Sequence, residues 1–539
     1  MKKTTFEGAT MTVADVLVAE LAAWGITLYF GIPGASALPL VDAVRKNENA
    51  RYIVVRHEQT AALAASAYNK FTGKIAVCLT IAGPGATNLA TGLYDAKEDH
   101  ASVLALSGQV KTQYAGPGGI QEIDQDAFFR PIAVFNNTVA DPTTAVKLLT
   151  RALRYAVVAR GVAQLSLPND VQREPLELAY CERETCLPEA RVAPTDEAVG
   201  AAAAAIDGAA RPVILAGFGA MSAAGAVFDL AEVIQAPIVT TFRAKGILPD
   251  DNGWIAGVHG PLGTPHARAL VAASDLVIAC GASFSDLTGI PPEKRAVQVD
   301  IDPLQLGKHP LAAGVWGDCT IALPRIRERV RPREDPAVRQ WLAEQKQAWS
   351  DRLDREADPE AVPIRPPYIM KVLSETLPED AVVSLDVGEN QWWFGRNFRM
   401  KRQRFAMSGY LGTMGFGLPG ALAAKLAYPD ATVVCITGDG GFSMVMADFA
   451  TAVRYDLPIV VAVLNNHELA MIREEQREAD YPPYGTDLTN PDFAAYAEAC
   501  GGAGIRVTRP QELRDAVLAA LQMNKPALID IETDPKRFE

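Results

Sequence analysis

The stretch 433–468 constrains the fold more than any other part of the chain. An apolar run (Val433, Val434, Cys435, Ile436) leads into Gly438-Asp439-Gly440, a helical segment follows, and a second apolar run over 459–464 ends in Asn465-Asn466. That order is a βαβ unit, whose parallel strands open their ends on one edge of the sheet. Asp439 and Asn466 are therefore predicted to sit about one strand spacing apart, ~5 Å. A carboxylate, an amide oxygen and a nearby backbone carbonyl make half an octahedral shell for Mg²⁺. That ion takes hard oxygen ligands and commonly completes its shell with phosphate oxygens and water. Gly438, Gly440 and Gly441 let the backbone come close to a phosphate and turn N–H groups toward it. A lone Gly-Asp-Gly is usually no more than a turn; with this spacing and these flanking strands, the residues point to a magnesium-diphosphate site.

The rest of the chain repeats the alternation. Strands predicted at 27–30, 52–55, 75–80 and 103–107 alternate with helices at 12–25, 60–71 and 87–97, giving a parallel doubly wound sheet that ends near Pro168. Pro, Glu and Arg enrichment over 175–194 marks a linker. Strands at 213–216, 238–241, 276–279 and 296–299 form a middle domain, and a charged stretch over 325–365, helical around 338–354, is a second linker. The third domain starts near Pro367 and ends on a strand at 527–531. The fold class is therefore α/β, with three doubly wound parallel-sheet domains at 1–180, 190–325 and 365–539, a number in keeping with 539 residues. The first and third share a coarse layout.

A net charge of −13 with no long basic run disfavours nucleic acid and anionic membrane surfaces as partners. No apolar run approaches the ~20 residues of a membrane span, and residues 1–11 lack the apolar stretch of a signal peptide, so a cytoplasmic location is expected. The seven cysteines (78, 181, 186, 280, 319, 435, 500) are scattered and read as reduced thiols, several in core strands. Cys181 and Cys186, with four residues between them in the linker, fit no zinc pattern and are not expected to be bridged.

Gly438-Asp439-Gly440, 24 intervening residues and Asn465-Asn466 resemble the diphosphate motif of thiamine-diphosphate enzymes. If the third domain holds the diphosphate, another must hold the reactive ring. Glu58 stands at a strand end, where a doubly wound sheet places its ligands, beside an alanine-rich helix that would shield it from water. A glutamate there also suits the helix macrodipole alone. Arg56-His57-Glu58 resembles the segment that in thiamine-diphosphate enzymes carries the activating acid. That glutamate hydrogen-bonds the aminopyrimidine and favours the imino form that removes the thiazolium C2 proton. Gly31-Ile32-Pro33-Gly34 and Gly83-Pro84-Gly85 are similar to loops of the pyrimidine-binding domain. Residues 386–392 and 412–419 resemble segments of the acetohydroxyacid synthases.

By this resemblance, which spans essentially the whole chain, the first domain is pyrimidine-binding and the third diphosphate-binding. Thiamine diphosphate would be held by Pro33, Glu58, Pro84, Asn88, Val387, Gly388, Glu389, Asn390, Gly412, Met414, Gly438, Asp439, Gly440, Gly441, Asn466, Glu468, Leu469, Ala470 and Met471. Met414 would be the apolar wedge that bends the cofactor, and Mg²⁺ would bind Asp439, Asn466 and the backbone carbonyl of Glu468. Glu58 of one subunit would serve cofactor bound by another, in a homodimer or a dimer of dimers. The middle domain resembles the flavin-binding domain of pyruvate oxidase and acetohydroxyacid synthase. Gly217, Gly219, Thr240, Thr241, Gly281, Asp300 and Ile301 fall where those proteins contact FAD, although relatives keep the domain empty or use it for another nucleotide.

Decarboxylating a 2-oxo acid on this cofactor leaves a carbanion-enamine, which a proton, a second carbonyl or an oxidant can take. The histidine pair of simple pyruvate decarboxylases is absent, since the loop reads Gly118-Gly119-Ile120. Gln121-Glu122 is similar to the Phe-Gln-Glu of pyruvate oxidase and acetohydroxyacid synthase, and Gln121 would bind substrate or intermediate. The synthase's acceptor-orienting arginine is Ser283 here, and its acceptor-pocket tryptophan aligns with Glu475. Arg473-Glu474-Glu475-Gln476 instead resembles the Lys-Asp-Glu-Gln of pyruvate oxidase. Glu475 either relays protons near C2 or is a solvated helix charge. Neither the synthase's long C-terminal lid nor the oxidase's lipid-binding tail is expected. The resemblance thus implies magnesium-dependent decarboxylation of a short, pyruvate-like 2-oxo acid with transfer of the enamine to a second carbonyl, acetolactate-synthase-like. The alternative is its oxidation by FAD, as in pyruvate oxidase. A silent nucleotide-binding homologue is more remote, for it would need Glu58 or Asp439 replaced.

Overall fold

The computed structural model describes residues 11–177, 183–187, 191–285 and 288–537. The first sheet comprises β1 (Leu28–Gly31), β2 (Arg51–Val54), β3 (Val77–Thr80), β4 (Val103–Gln109), β5 (Phe135–Thr138) and β6 (Val162–Pro168), ordered β2-β1-β3-β4-β6-β5. In the middle sheet β7 (Pro212–Ala216), β8 (Ile238–Thr240), β9 (Ile255–Val258), β10 (Leu276–Cys280), β11 (Ala296–Asp300) and β12 (Leu311–Trp316) are ordered β12-β11-β10-β7-β8-β9. The third holds β13 (Val382–Leu385), β14 (Arg404–Ala406), β15 (Val433–Gly438), β16 (Val460–Asn465), β17 (Ala503–Val507) and β18 (Ala527–Glu532), ordered β14-β13-β15-β16-β18-β17.

All pairings within these sheets are parallel. The central strands β1, β3, β4, β7, β10 and β16 are buried at every position. That is what helices covering both faces require, and why these segments are nearly uniformly apolar. Numbered within each sheet, the two outer domains share the order 2-1-3-4-6-5, so their likeness is one of topology. The middle domain reads 3-2-1-4-5-6, the dinucleotide-fold order, with its switch point between β7 and β10. The predicted linker helix is Pro336–Glu356. No helix among the described residues is long and apolar enough to cross a membrane.

Helix Glu58–Thr72 packs along helix Gly417–Ala427, joining the outer domains. Small residues on both, among them Ala61, Ala64, Ala65, Ala423 and Ala424, are fully buried. An ionic knot ties all three domains nearby. Lys70 Nζ, with its side chain 2% exposed, contacts Asp95 at 2.7 Å and Asp99 at 2.6 Å. Arg243 of the middle domain reaches Asp99 at 3.0 Å, and the N–H groups of Gly409 and Tyr410 donate to it at 2.8 and 3.0 Å. Burial alone would raise the Asp99 carboxyl, but Lys70 and Arg243 prevail and hold it down to about 2. The knot's stabilisation is thus complete above the ordinary aspartate value and fades as the pH falls toward 2. Asp99→Asn is expected to cost about 1–3 kcal/mol at neutral pH, because Lys70 keeps Asp95 while Arg243 loses its carboxylate partner. It should also flatten the loss of urea midpoint on acidification below pH ~4.

Cys78, Cys280, Cys319, Cys435 and Cys500 are free, the first four buried as expected. Cys186 is disulfide-bonded, contrary to the expectation of reduced thiols throughout. It closes the short helix Arg183–Cys186 at the margin of the N-terminal core, outside any strand, so the argument from buried strand thiols does not reach it. Cys181 and residues 1–10 lie outside the described residues.

Candidate active site

Register sets the third domain's edge. Gly438 at the end of β15 pairs with Leu464 near the end of β16, so Asp439 and Asn465-Asn466 leave the sheet side by side, as predicted. Asp439 is 3% exposed. Its Oδ2 accepts from the His467 N–H at 2.8 Å and from Asn490 Nδ2 at 2.7 Å, and Oδ1 accepts from the Gly440 N–H at 3.0 Å. Burial raises this carboxyl, and no lysine or arginine among the described residues pairs with it. Asn465 is structural: its Nδ2 donates to Asp530 Oδ1 at 2.9 Å. Asn466 is half-buried, and its Oδ1 accepts from the Glu468 N–H at 3.1 Å.

Among the described residues, no cluster of three or more His, Cys, Asp and Glu side chains could hold a metal. An ion here would therefore rest on a mixed set of carboxylate, amide and backbone oxygens. Those oxygens suit Mg²⁺, and a cation would relieve the buried, unpaired charge of Asp439. The turn's glycines are packed closely against neighbouring side chains. A Cβ on Gly440 would lie 3.0 Å from both Met414 Cε and Leu469 Cδ2, and one on Gly441 would lie 2.8 Å from Asp386 Oδ2. Met414 thus borders the Gly438–Gly441 turn. These residues fit a magnesium diphosphate.

Asp386, fully buried, is the residue that sequence reasoning passed over. Oδ1 accepts from the N–H groups of Val387 (2.7 Å) and Gly415 (2.9 Å); Oδ2 accepts from the Gly417 N–H (3.1 Å) and Thr437 Oγ1 (2.9 Å). One carboxylate therefore fastens three of the predicted loops together. Its signal was its place, an acid directly after apolar β13, as Asp439 is after β15. Gly388, at φ 124°, precedes helix Glu389–Asn397. The Glu389 side chain is engaged by Arg537 at 2.6 Å. Arg473 similarly takes the side chain of Glu468. Ala470 and Met471 begin helix Ala470–Glu478, on which Glu475 is exposed.

In the first domain, Glu58 opens its helix directly after edge strand β2, capped by His57, whose Nδ1 accepts from the Gln59 N–H at 3.1 Å. Glu58 is 7% exposed. Asn88 Nδ2 donates to its Oε2 at 2.9 Å, and a Cβ on Gly85 would lie 3.4 Å from its Oε1. The loop of Gly83 and Pro84 thus lies against the carboxylate. Gln121, at φ 69°, rides over that loop with its carbonyl 2.9 Å from where a Cβ of Gly83 would be. Glu122 accepts N–H bonds from Gly116, Gly118 and Gly119, which lower its carboxyl and fix the glycine-rich loop. Pro33 is exposed at the neighbouring turn. Within one chain the site residues stem from the two outer sheets; no hydrogen bond among the described residues joins Glu58 to Asp439, while Gln59 Nε2 would lie 3.8 Å from a Cβ on Gly415.

At the switch point of the middle domain, a cavity of about 1630 Å³ opens toward the first domain. Gly219, Thr241, Gly281, Asp300 and Ile301 line it; Gly217 and Thr240 do not. A Cβ on Gly217 would lie 2.2 Å from the Gly281 carbonyl oxygen, so this glycine serves the interlock of two loops. The walls extend to Gln391, Met407 and Tyr410 of the third domain. Ser283 Oγ and Tyr410 Oη share a hydrogen bond of 2.7 Å there.

Family models of thiamine pyrophosphate enzymes match three stretches: the N-terminal TPP binding domain over residues 11–128, the central domain over 199–326 and the C-terminal TPP binding domain over 386–531. The chain is 39% identical over 526 residues, 97% of its length and 92% of the relative's, to YdaP of Bacillus subtilis (strain 168), provisionally named a thiamine pyrophosphate-containing protein. It is 35% identical over 541 residues to the acetolactate synthase large subunit of Parasynechococcus marenigrum, covering 97% of this chain and 87% of that one. Pyruvate oxidase of Lactiplantibacillus plantarum is 32% identical over 525 residues, 95% of this chain and 87% of its own.

Proposed function

The chain belongs to the thiamine diphosphate enzymes, and from that premise we propose that it decarboxylates a short, pyruvate-like 2-oxo acid with Mg²⁺ and transfers the resulting unit to a second carbonyl, as acetolactate synthase does. When bound, thiamine diphosphate supplies a nucleophilic carbon and a sink for the electron pair that the departing carboxylate leaves. The chain's residues divide the remaining work. Asp439, Asn466 and the Glu468 carbonyl would hold the metal, Gly438, Gly440 and Gly441 would admit the phosphates, and Met414 would support the bend. Gln121 would orient the substrate, while Glu475, exposed on its helix, would either relay protons near it or stand as a solvated helix charge.

The observation that carries this reading is Glu58, a buried carboxylate at a sheet edge with a neutral amide as its side-chain partner. Such a carboxylate stands where it can accept a hydrogen bond from a ring nitrogen. As in the family it resembles, Glu58 of a second copy would complete each site, in a dimer or a dimer of dimers. Exposed apolar residues flank both edges in support, Ile120 at 92%, Met444 at 57% and Ile472 at 44%.

A second reading, oxidation through FAD, is favoured by the cavity at the switch point, whose walls run from Asp300 to Tyr410. The visible spectrum of the purified protein, followed under anaerobic pyruvate with thiamine diphosphate and Mg²⁺, separates the two. Carboligation is expected to yield acetolactate with any flavin band unchanged. Bleaching of a bound flavin gives the oxidase instead, and no turnover of pyruvate would move the substrate to another 2-oxo acid.

A further inference from the structure

Strand β2 lies at the edge of its sheet, so the polar groups along its outer side have no neighbouring strand. Two of them, and the next outward N–H beyond the strand, are nonetheless engaged by side chains that follow about 400 residues later. The Val54 N–H donates to Tyr455 Oη at 2.8 Å, and that hydroxyl in turn donates to the Tyr52 carbonyl oxygen at 3.3 Å. Two residues on, the Arg56 N–H donates to Asp448 Oδ1 at 2.8 Å. Asp448 is 1% exposed, and its orientation is fixed by Thr451 Oγ1, which donates to the same oxygen at 2.7 Å. A phenol that accepts from one peptide and donates to the next does what a paired strand's backbone would do. The segment so held, Tyr52–Arg56, runs directly into Glu58. Asp448 and Tyr455 lie beyond the helix Asp439–Val445 that opens at the diphosphate turn.

We propose that Asp448 and Tyr455 are positioning residues for Glu58: they stand in for the missing edge strand and fix where the activating carboxylate emerges. The proposal rests on the reading of Glu58 given above. It follows that the domain holding one cofactor also sets the acid that its own chain lends to a second copy. Helix packing alone would not give this, because the latched groups are backbone amides of β2 and its exit, outside the helix.

Two readouts test it. In the cofactor-free protein, Tyr455→Phe removes only the hydroxyl. It is expected to speed amide hydrogen exchange over 51–57 by about fivefold to tenfold, the value of one net hydrogen bond, with exchange in the β15–β16 region unchanged. In the loaded enzyme, Tyr455→Phe and Asp448→Ala are expected to slow C2 proton exchange of bound thiamine diphosphate by about tenfold. Apparent affinities for the cofactor and Mg²⁺ should stay within twofold. Asp448→Asn, which keeps an oxygen acceptor, should recover most of the rate. Native amide protection in Tyr455→Phe, or a native C2 exchange rate despite released amides, overturns the proposal. The control Glu58→Gln separates failures: if it exchanges C2 normally, the role of Glu58 falls, while the amide exchange still decides the latch.

Discussion

Glu58→Gln is expected to leave thiamine diphosphate and Mg²⁺ binding within a few-fold of native while slowing C2 proton exchange by about a hundredfold or more, the lower bound for a positioned acid–base group. The amide preserves the shape and still accepts from Asn88 Nδ2, now 2.9 Å from the carboxylate. What it cannot do is hold a proton between itself and a ring nitrogen. Exchange of the C2 proton, read by quenched-flow deuterium incorporation, isolates this loss from substrate binding. A native rate would remove Glu58 from the activation step.

Asp439→Ala is expected to abolish magnesium-dependent retention of the cofactor on gel filtration. The loss of affinity should exceed the roughly 10–100-fold that changes outside the ligand shell cost. The variant removes a metal ligand and leaves Asn490 Nδ2 and the His467 N–H without the oxygen they share. Asn490→Ala, which disturbs only the support, should fall within that lower range. Chelation by EDTA should strip cofactor from the native protein and change nothing further in Asp439→Ala. Retention equal to native would place the metal elsewhere.

The diphosphate edge was legible because it is local. A strand, a short turn of glycines around an acid and a second strand lie within about thirty-five residues, and parallel register does the rest. Glu58 was legible for the same reason, as the end of a strand before an alanine-rich helix. Apart from β2, the margins of the sheets were not. β5, β9, β12, β14 and β17 all lie at edges, and short strands half open to solvent carry no apolar run to betray them; β5, for example, is Phe-Asn-Asn-Thr. Asp386 escaped because its four partners come from loops up to 51 residues away. Tyr455 and Asp448 escaped because they meet β2 from across the chain. The cysteine reading failed at Cys186, which no strand protects.

The common strand order of the outer sheets gives each chain an internal pseudo-symmetry. Directly after its third strand the last domain places Asp439, and at the end of its fourth Asn465-Asn466; the first domain has Ile81 and Gln109-Val110 in the same places. After the second strand the positions reverse in character, Glu58 in the first domain against the Gly412–Met414 loop in the last. On the proposed function, one strand order thus serves a half that would hold the metal and a half that would handle the proton. Because neither half carries the other's residues, changes that tune ion affinity and changes that tune acidity fall on separate loops and can be selected independently.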